Sequence, residues 1–277
     1  MPKPERPEKT PADPELNRRI EELIRFKGGG HNEESVADII ENALRLLNDV
    51  QDSGDVRVIQ TANRELRYAF RLFAPYAGVR KVTIFGSART AKTKLEYQQA
   101  VEFARKIADA GFMIITGAGA GIMQAGHEGA GPELSFGANI RLPWEQSANP
   151  VIREDKKLVT FKYFFTRKLI FIRHSDAIAL FPGGFGTMDE LFEALTLIQT
   201  KKIRGFPVVL VGKEYWQGLV DWLKTSVLAA GTISPEDIDL LHIVDEPEEV
   251  CAIINKRYRD RLSGAHMDRR NKGKRGV

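Results

Sequence analysis

A single cysteine, Cys251, stands in 277 residues, which excludes an internal disulfide framework, and no cluster of Cys and His has metal-ligand spacing. His127-Glu128 begins like a zinc-protease helix, but Gly131 occupies the place of the second histidine. No metal and no cofactor are expected. Long apolar runs are also missing: the longest are strand-like pieces such as Ala177 to Phe181, far short of a bilayer span. The N-terminus is charged and lacks an apolar signal core, so the expectation is a cytoplasmic protein without a membrane partner. The phosphate-loop pattern G-x-x-x-x-G-K-[ST] is absent, which excludes ATP hydrolysis of that type. The dinucleotide pattern G-x-G-x-x-G fails in "GAGAG": counted from Gly117 the sixth residue is Ile122, and from Gly119 it is Gln124. The next strand-like segment ends at Asn139 and Arg141, where a ribose-binding acid is wanted, so an NAD enzyme is not expected.

What is present suffices for a full core, with 43% hydrophobic and 9% aromatic residues. The net charge of +4 is unevenly spread. From Lys256 onward nine Lys or Arg face only Asp260 and Asp268, a surplus of +7 that leaves −3 for the rest. The basic character belongs to the tail, and terminal charge runs are ordinarily solvated, so nucleic acid is not the expected partner.

Residues 1–15 are proline-rich and charged and are expected to be disordered, as is the basic tail, 263–277. Between them, 16–79 reads as a helical extension, with apolar positions at helical spacing over Leu16–Phe26, from Asn32 through Leu47, and over Ile59–Phe73. Gly28-Gly29-Gly30 separates the first two helices. The pattern changes at Lys81. "KVTIFGS", "FMIITG", "SFGANIRLP", "DAIALFPGG", "FPVVLVG" and "LLHIV" read as strands between amphipathic helices, the last helix running from Pro247 to Arg261. Near-continuous apolar strands alternating with helices define an α/β fold, a Rossmann-like doubly wound parallel sheet over 80–262. Ligands bind such sheets at the carboxyl ends of the strands. "GSAR" (86–89), "GAGAG" (117–121), "NIRLP" (139–143) and "PGGFGTMDE" (182–190) all fall there.

"PGGFGTMDE" admits two readings. Thr187 as an N-cap with Glu190 three positions on is capping-box spacing, which needs no function. A cap does not, however, require Gly183, Gly184 and Gly186 together, whereas a phosphate approaching the backbone at a helix N-terminus does. Upstream, Arg167 and Lys168 are either a solvated helix face or cations that help neutralise a bound anion and position its sugar.

Together these residues make the segment from Lys81 to Ile243 resemble the Lonely Guy (LOG) family of cytokinin riboside 5′-monophosphate phosphoribohydrolases. The family signature P-G-G-x-G-T-x-x-E is matched at every fixed position by Pro182 through Glu190, its Arg-Lys pair by Arg167-Lys168, and its second glycine-rich loop is similar to "TGAGAGIMQAG". Some relatives carry a lysine decarboxylase label, but no residue pattern here argues for a pyridoxal enzyme. The resemblance implies hydrolysis of the N-glycosidic bond of a nucleoside 5′-monophosphate, giving free base and ribose 5-phosphate. Glu190 would stabilise positive charge on the ribose or activate water, and a place in a helix's first turn would favour its ionised form. By the same resemblance Arg167 orients the nucleotide or eases departure of the base. Backbone N–H groups of Gly184, Gly186 and Thr187 would hold the 5′-phosphate, with Gly183 and Lys168 beside them. Ser87, Gly119, Gly121, Met123 and Asn139 are further candidates for contacts to phosphate, ribose or base. No histidine pairs with Ser87 in the sequence, so a binding hydroxyl is expected there rather than a nucleophile. The resemblance also implies a homodimer or higher homo-oligomer. Two other readings stay open: a non-catalytic nucleotide or molybdenum-cofactor carrier of the same fold, and a nucleosidase of general nucleotides in which the N-terminal helices serve assembly or effector binding.

Overall fold

The computed structural model describes residues 13–143 and 147–259. The disorder expected at both termini lies outside these residues, except for 13–15. Three helices come first, α1 (Pro14–Phe26), α2 (Glu33–Asp49) and α3 (Ser53–Phe73). Asp13 caps α1 by accepting the backbone N–H groups of Glu15 and Leu16. The chain divides into two compact units, Met1–Asn63 and Arg64–Val277, so the boundary falls inside α3. In the first unit α1 and α2 pack on one another.

In the second unit strands and helices alternate: β1 (Lys81–Phe85), α4 (Leu95–Asp109), β2 (Met113–Thr116), α5 (Ile122–Ala130), β3 (Ser135–Ile140), β4 (Leu158–Phe161), α6 (Phe164–His174), β5 (Ala177–Leu180), α7 (Phe185–Gln199), β6 (Val208–Val211), α8 (Lys213–Trp222), α9 (Pro235–Ile238) and β7 (Leu241–Val244). A last helix, α10, covers 247–259. The strands form one sheet in the order β4-β3-β2-β1-β5-β6-β7, parallel at every pairing. This is the Rossmann-like doubly wound α/β sheet read from the sequence, with one strand more than the six expected. The addition, β4, is a short edge strand paired through Gly137–Leu158 to Ile140–Phe161. The inner strands β1, β2, β5 and β6 are buried at every residue, which explains their largely apolar runs.

Apolar side chains cover both faces of the sheet. On one side Phe103, Ile107 and Ile122 pack on Ile84, Ile114 and Val209. On the other Phe136, Phe171 and Leu191 pack on Ile115, Ile178 and Leu210. Ala69 and Phe73, at the end of α3, belong to this second layer, with Phe73 stacked on Phe136 at 4.3 Å between ring centroids. Glu65 on the same helix accepts the Lys162 backbone N–H at 2.5 Å and the Thr166 hydroxyl at 2.6 Å. It thereby ties the segment that enters α6, and the first turn of that helix, to α3.

Candidate functional site

The strand order reverses between β1 and β5, and a crevice opens at the carboxyl ends of two such strands. The loops that leave them are tied together there: the Ser87 N–H donates to the Pro182 carbonyl at 3.0 Å. The loop after β2 joins the same knot, because the Ile122 N–H donates to the Ser87 carbonyl at 3.0 Å. Gly121, at φ +61°, turns the chain into α5. A Cβ at Gly121 would stand 2.2 Å from the Ser87 carbonyl oxygen, so close approach as well as backbone conformation demands glycine. All four sequence features assigned to the carboxyl edge therefore lie on one rim.

Under this rim is a buried polar network that the sequence did not announce. The Thr116 hydroxyl accepts the Ala118 N–H at 2.9 Å and lies 3.0 Å from His127 Nε2. That ring nitrogen also stands 3.1 Å from the Phe136 carbonyl. Asn149 Nδ2 bonds the carbonyls of Ala118 and Gly119, at 3.1 and 3.0 Å, and stands 3.1 Å from His127 Nδ1. These contacts hold Ala118 at φ +61°, a conformation unusual for a residue with a Cβ. Burial pushes the His127 pKa down to about 4, so the ring is neutral. His127 is thus a loop support, and among the described residues no three His, Cys, Asp or Glu form a metal-binding group.

Helix α7 starts earlier than the capping-box reading requires. Its N-cap is Gly184, in extended backbone, and Phe185 is its first residue. Thr187 is therefore inside the first turn, with its N–H donating to the Gly184 carbonyl at 2.9 Å, and no Thr187–Glu190 box forms. The reason lies in the glycines: backbone without side chains enters the helix three residues sooner. The N–H groups left open by this geometry are those of Gly184, Phe185 and Gly186. A Cβ at Gly183 would strike Thr187 Oγ1 at 2.1 Å, so packing explains that glycine. Gly184 and Gly186 face open space, with no atom within 4 Å of such a Cβ, and neither has positive φ. Nothing among the described residues requires them to be glycine. The Gly183 carbonyl is held by the Tyr215 hydroxyl at 2.5 Å.

Glu190 consequently sits one turn deeper than expected, 5% exposed, rather than in the first turn. Burial raises its pKa to about 7, against the opposing pull of Lys168 and Arg167. The expectation of a firmly ionised carboxylate gives way to one poised between its two forms. Glu190 Oε2 has no hydrogen-bond partner among the described residues. Its nearest cation is Lys168 Nζ at 3.8 Å, which is beyond hydrogen-bond length. Lys168 leans mainly on its other neighbours, Glu193 Oε2 at 2.5 Å and Asp189 Oδ2 at 3.0 Å. Burial alone would lower the Lys168 pKa, but these carboxylates leave it raised.

Arg167 Nε donates to the Ala138 carbonyl at 2.9 Å, and its guanidinium stands 5.0 Å from the Phe171 ring centroid. Burial lowers its pKa to about 10, against the field of Glu190, and it remains a cation at neutral pH. Room for it comes from Gly117: a Cβ there would lie 2.2 Å from Arg167 Nη2 and 2.8 Å from Met123 Sδ. Asn139 follows Ala138 in β3, paired with Thr160 and half-buried. Ser87, Gly119, Gly121, Met123, Asn139, Arg167 and the 183–190 segment therefore share one edge. Sequence reasoning missed Gly117, Asn149, Tyr215 and the fully exposed Phe185. Of these only Gly117, first in the "GAGAG" run, had any local signal.

A doubly wound α/β domain with a glycine-opened helix at its switch point, a buried Glu190 and a half-buried Arg167 is the class that fold and site define. The family model described as "Possible lysine decarboxylase" matches residues 118–254. A "Probable cytokinin riboside 5′-monophosphate phosphoribohydrolase" of Oryza sativa subsp. japonica is 27% identical over 177 residues, 62% of this chain and 70% of that protein. A cytokinin riboside 5′-monophosphate phosphoribohydrolase of Mycobacterium tuberculosis is 34% identical over 96 residues, 34% of this chain and 49% of that protein. The solved molybdenum cofactor binding protein of Rippkaea orientalis is 18% identical at a TM-score of 0.46, over 65% of this chain and 98% of that one. The central α/β domain of this chain is thus similar to cytokinin riboside 5′-monophosphate phosphoribohydrolases, the resemblance that the Pro182–Glu190 motif carries in the sequence.

Proposed function

We propose that the protein hydrolyses the N-glycosidic bond of nucleoside 5′-monophosphates, releasing the base and ribose 5-phosphate. The observation that carries this reading is Glu190: a buried carboxylate with one oxygen unpartnered, at the strand-order switch point, behind a helix N-terminus whose two outer glycines nothing among the described residues requires. The open N–H groups of Gly184, Phe185 and Gly186 suit a 5′-phosphate, with Gly183, Thr187 and Ser87 shaping the cradle. Such anchoring fixes the sugar, and fixed geometry supplies much of the rate. As the bond to the base breaks, positive charge grows on the ribose ring. Ionised Glu190 stabilises that charge or takes a proton from the attacking water. Arg167, a half-buried cation packed against Gly117, orients the nucleotide and helps the departing base carry its electrons. Lys168 keeps Glu190 near its ionised form. Met123, Asn139, Gly119 and Gly121 line the approach of ribose and base. No metal or cofactor is called for. The names of the relatives support the reaction and a cytokinin ribotide as one substrate, with AMP as the simplest alternative. The protein acts as a homodimer or larger homo-oligomer, for which the exposed Phe164, Phe165 and Leu169 on α6 offer apolar surface.

The carrier reading is disfavoured by the same carboxylate. A phosphate binder gains nothing from a buried acid beside its anion. The test is incubation of purified protein with AMP and isopentenyladenosine monophosphate, with chromatography for free base. Release by the wild type and none by Glu190→Gln, with nucleotide binding retained, is expected. Binding without release from either nucleotide would instead establish a carrier.

A further inference from the structure

At the opposite edge of the sheet, where the strands begin, lies a cleft of about 740 Å³ that the proposed reaction does not use. Its walls come from the last turn of α6, the segment between α7 and β6, and α10. Four cations line it, Arg173, Lys202, Arg204 and Arg257, and all four are exposed. Among the described residues none of them makes an ion pair or donates a side-chain hydrogen bond to an oxygen. The one acid in the wall, Asp176, accepts the Lys81 backbone N–H at 3.1 Å and offsets one of the four positive charges, which leaves a surplus of three. The backbone N–H groups of Arg204 and Gly205 also donate to nothing among the described residues. Beside these donors the rings of Phe112 and Tyr258 line the same cleft. They are steadied by the Arg80 guanidinium, which stands 4.0 and 4.2 Å from their centroids.

Four like charges around one concavity repel one another and carry a cost unless an anion joins them. Elsewhere the chain pairs its charges readily, as Lys168 and Lys106 do with several carboxylates each. Guanidinium groups with free backbone donors match phosphate oxygens in geometry and charge. The volume is that of a small-molecule site, and its concave, partly aromatic wall suits a compact ligand better than an extended polymer. We infer that this cleft is a second ligand site, taking a small polyanion of the phosphate class, separate from the candidate catalytic edge. The inference does not rest on the proposed reaction.

Calorimetric titration of the full chain with inorganic pyrophosphate and with ATP, both without divalent metal, tests it. Saturable binding is expected, weakened about tenfold or more in the Arg204→Ala/Arg257→Ala double variant, since each lost charged contact counts heavily. Both positions are exposed, so the variant should unfold at the same temperature as the wild type. A Gly186→Val variant, altered at the other edge, should keep the saturable pyrophosphate binding that the double variant loses. ATP binding more tightly than pyrophosphate would assign the Phe112–Tyr258 pair to a base. No saturable binding of either probe, or loss in Gly186→Val with retention in the double variant, would overturn the site. So would a single-stranded oligonucleotide that binds more tightly than both probes and loses its affinity in the double variant.

Discussion

Replacing Glu190 by Gln should make the protein more stable above neutral pH while abolishing turnover. The sign follows from burial. In the unfolded chain this carboxyl titrates near its ordinary 4.5, and in the fold at about 7. Between those values the folded state holds a proton that the unfolded state has released, so its contribution to stability, complete below the lower value, is lost as pH rises through the upper one. Over the whole window the ionised carboxylate costs about 3 kcal/mol. Glutamine, neutral at every pH, escapes that cost. Urea unfolding of both proteins from about pH 4.5 to about pH 8.5 should show Glu190→Gln gaining up to about 3 kcal/mol on the wild type as pH rises. Any constant offset from placing an amide beside Lys168 does not alter this slope. A difference independent of pH would show that Glu190 is not desolvated in the fold and would refute the poised carboxylate.

Three further outcomes follow from the same geometry. Lys168→Met removes the cation nearest Glu190 and leaves Asp189 and Glu193 uncompensated, so the acidic limb of the pH–rate profile should move upward from about 7; a lowered but unshifted profile would make Lys168 structural only. Gly117→Ala should fold, because the nearest atoms to the new Cβ are the tips of two flexible side chains, Arg167 and Met123. Yet kcat should fall by about a hundredfold as Arg167 is displaced, and retained activity would remove the guanidinium from the reaction. Gly186→Val meets open space and should change stability by less than about 1 kcal/mol; it should raise KM for a nucleotide about tenfold or more, and an unchanged KM would place the phosphate elsewhere.

The parts of this protein legible in its sequence are those set by local periodicity. β1, β2, β5 and β6 are buried on both faces, so each is a largely apolar run, and the helices between them show their buried stripes. β4 escaped because it pairs on one side only and shows a mixed surface: Leu158 is half-buried and Thr160 exposed. A four-residue edge strand needs no continuous apolar signal. The motif at 182–190 identified the residues but misplaced the helix cap by three positions, and this small error reversed an electrostatic conclusion. With Thr187 as cap, Glu190 would lie in the first turn, favoured as an anion. With Gly184 as cap it lies a turn deeper, where lost hydration outweighs the helix end and both nearby cations. The same two glycines proposed to admit a phosphate therefore also determine where the carboxylate comes to rest. Neither effect is written in residue types alone, since desolvation depends on what the rest of the chain folds over Glu190. A carboxyl whose ionisation is opposed by burial is costly to the fold, and the chain carries that cost beside a glycine-lined opening.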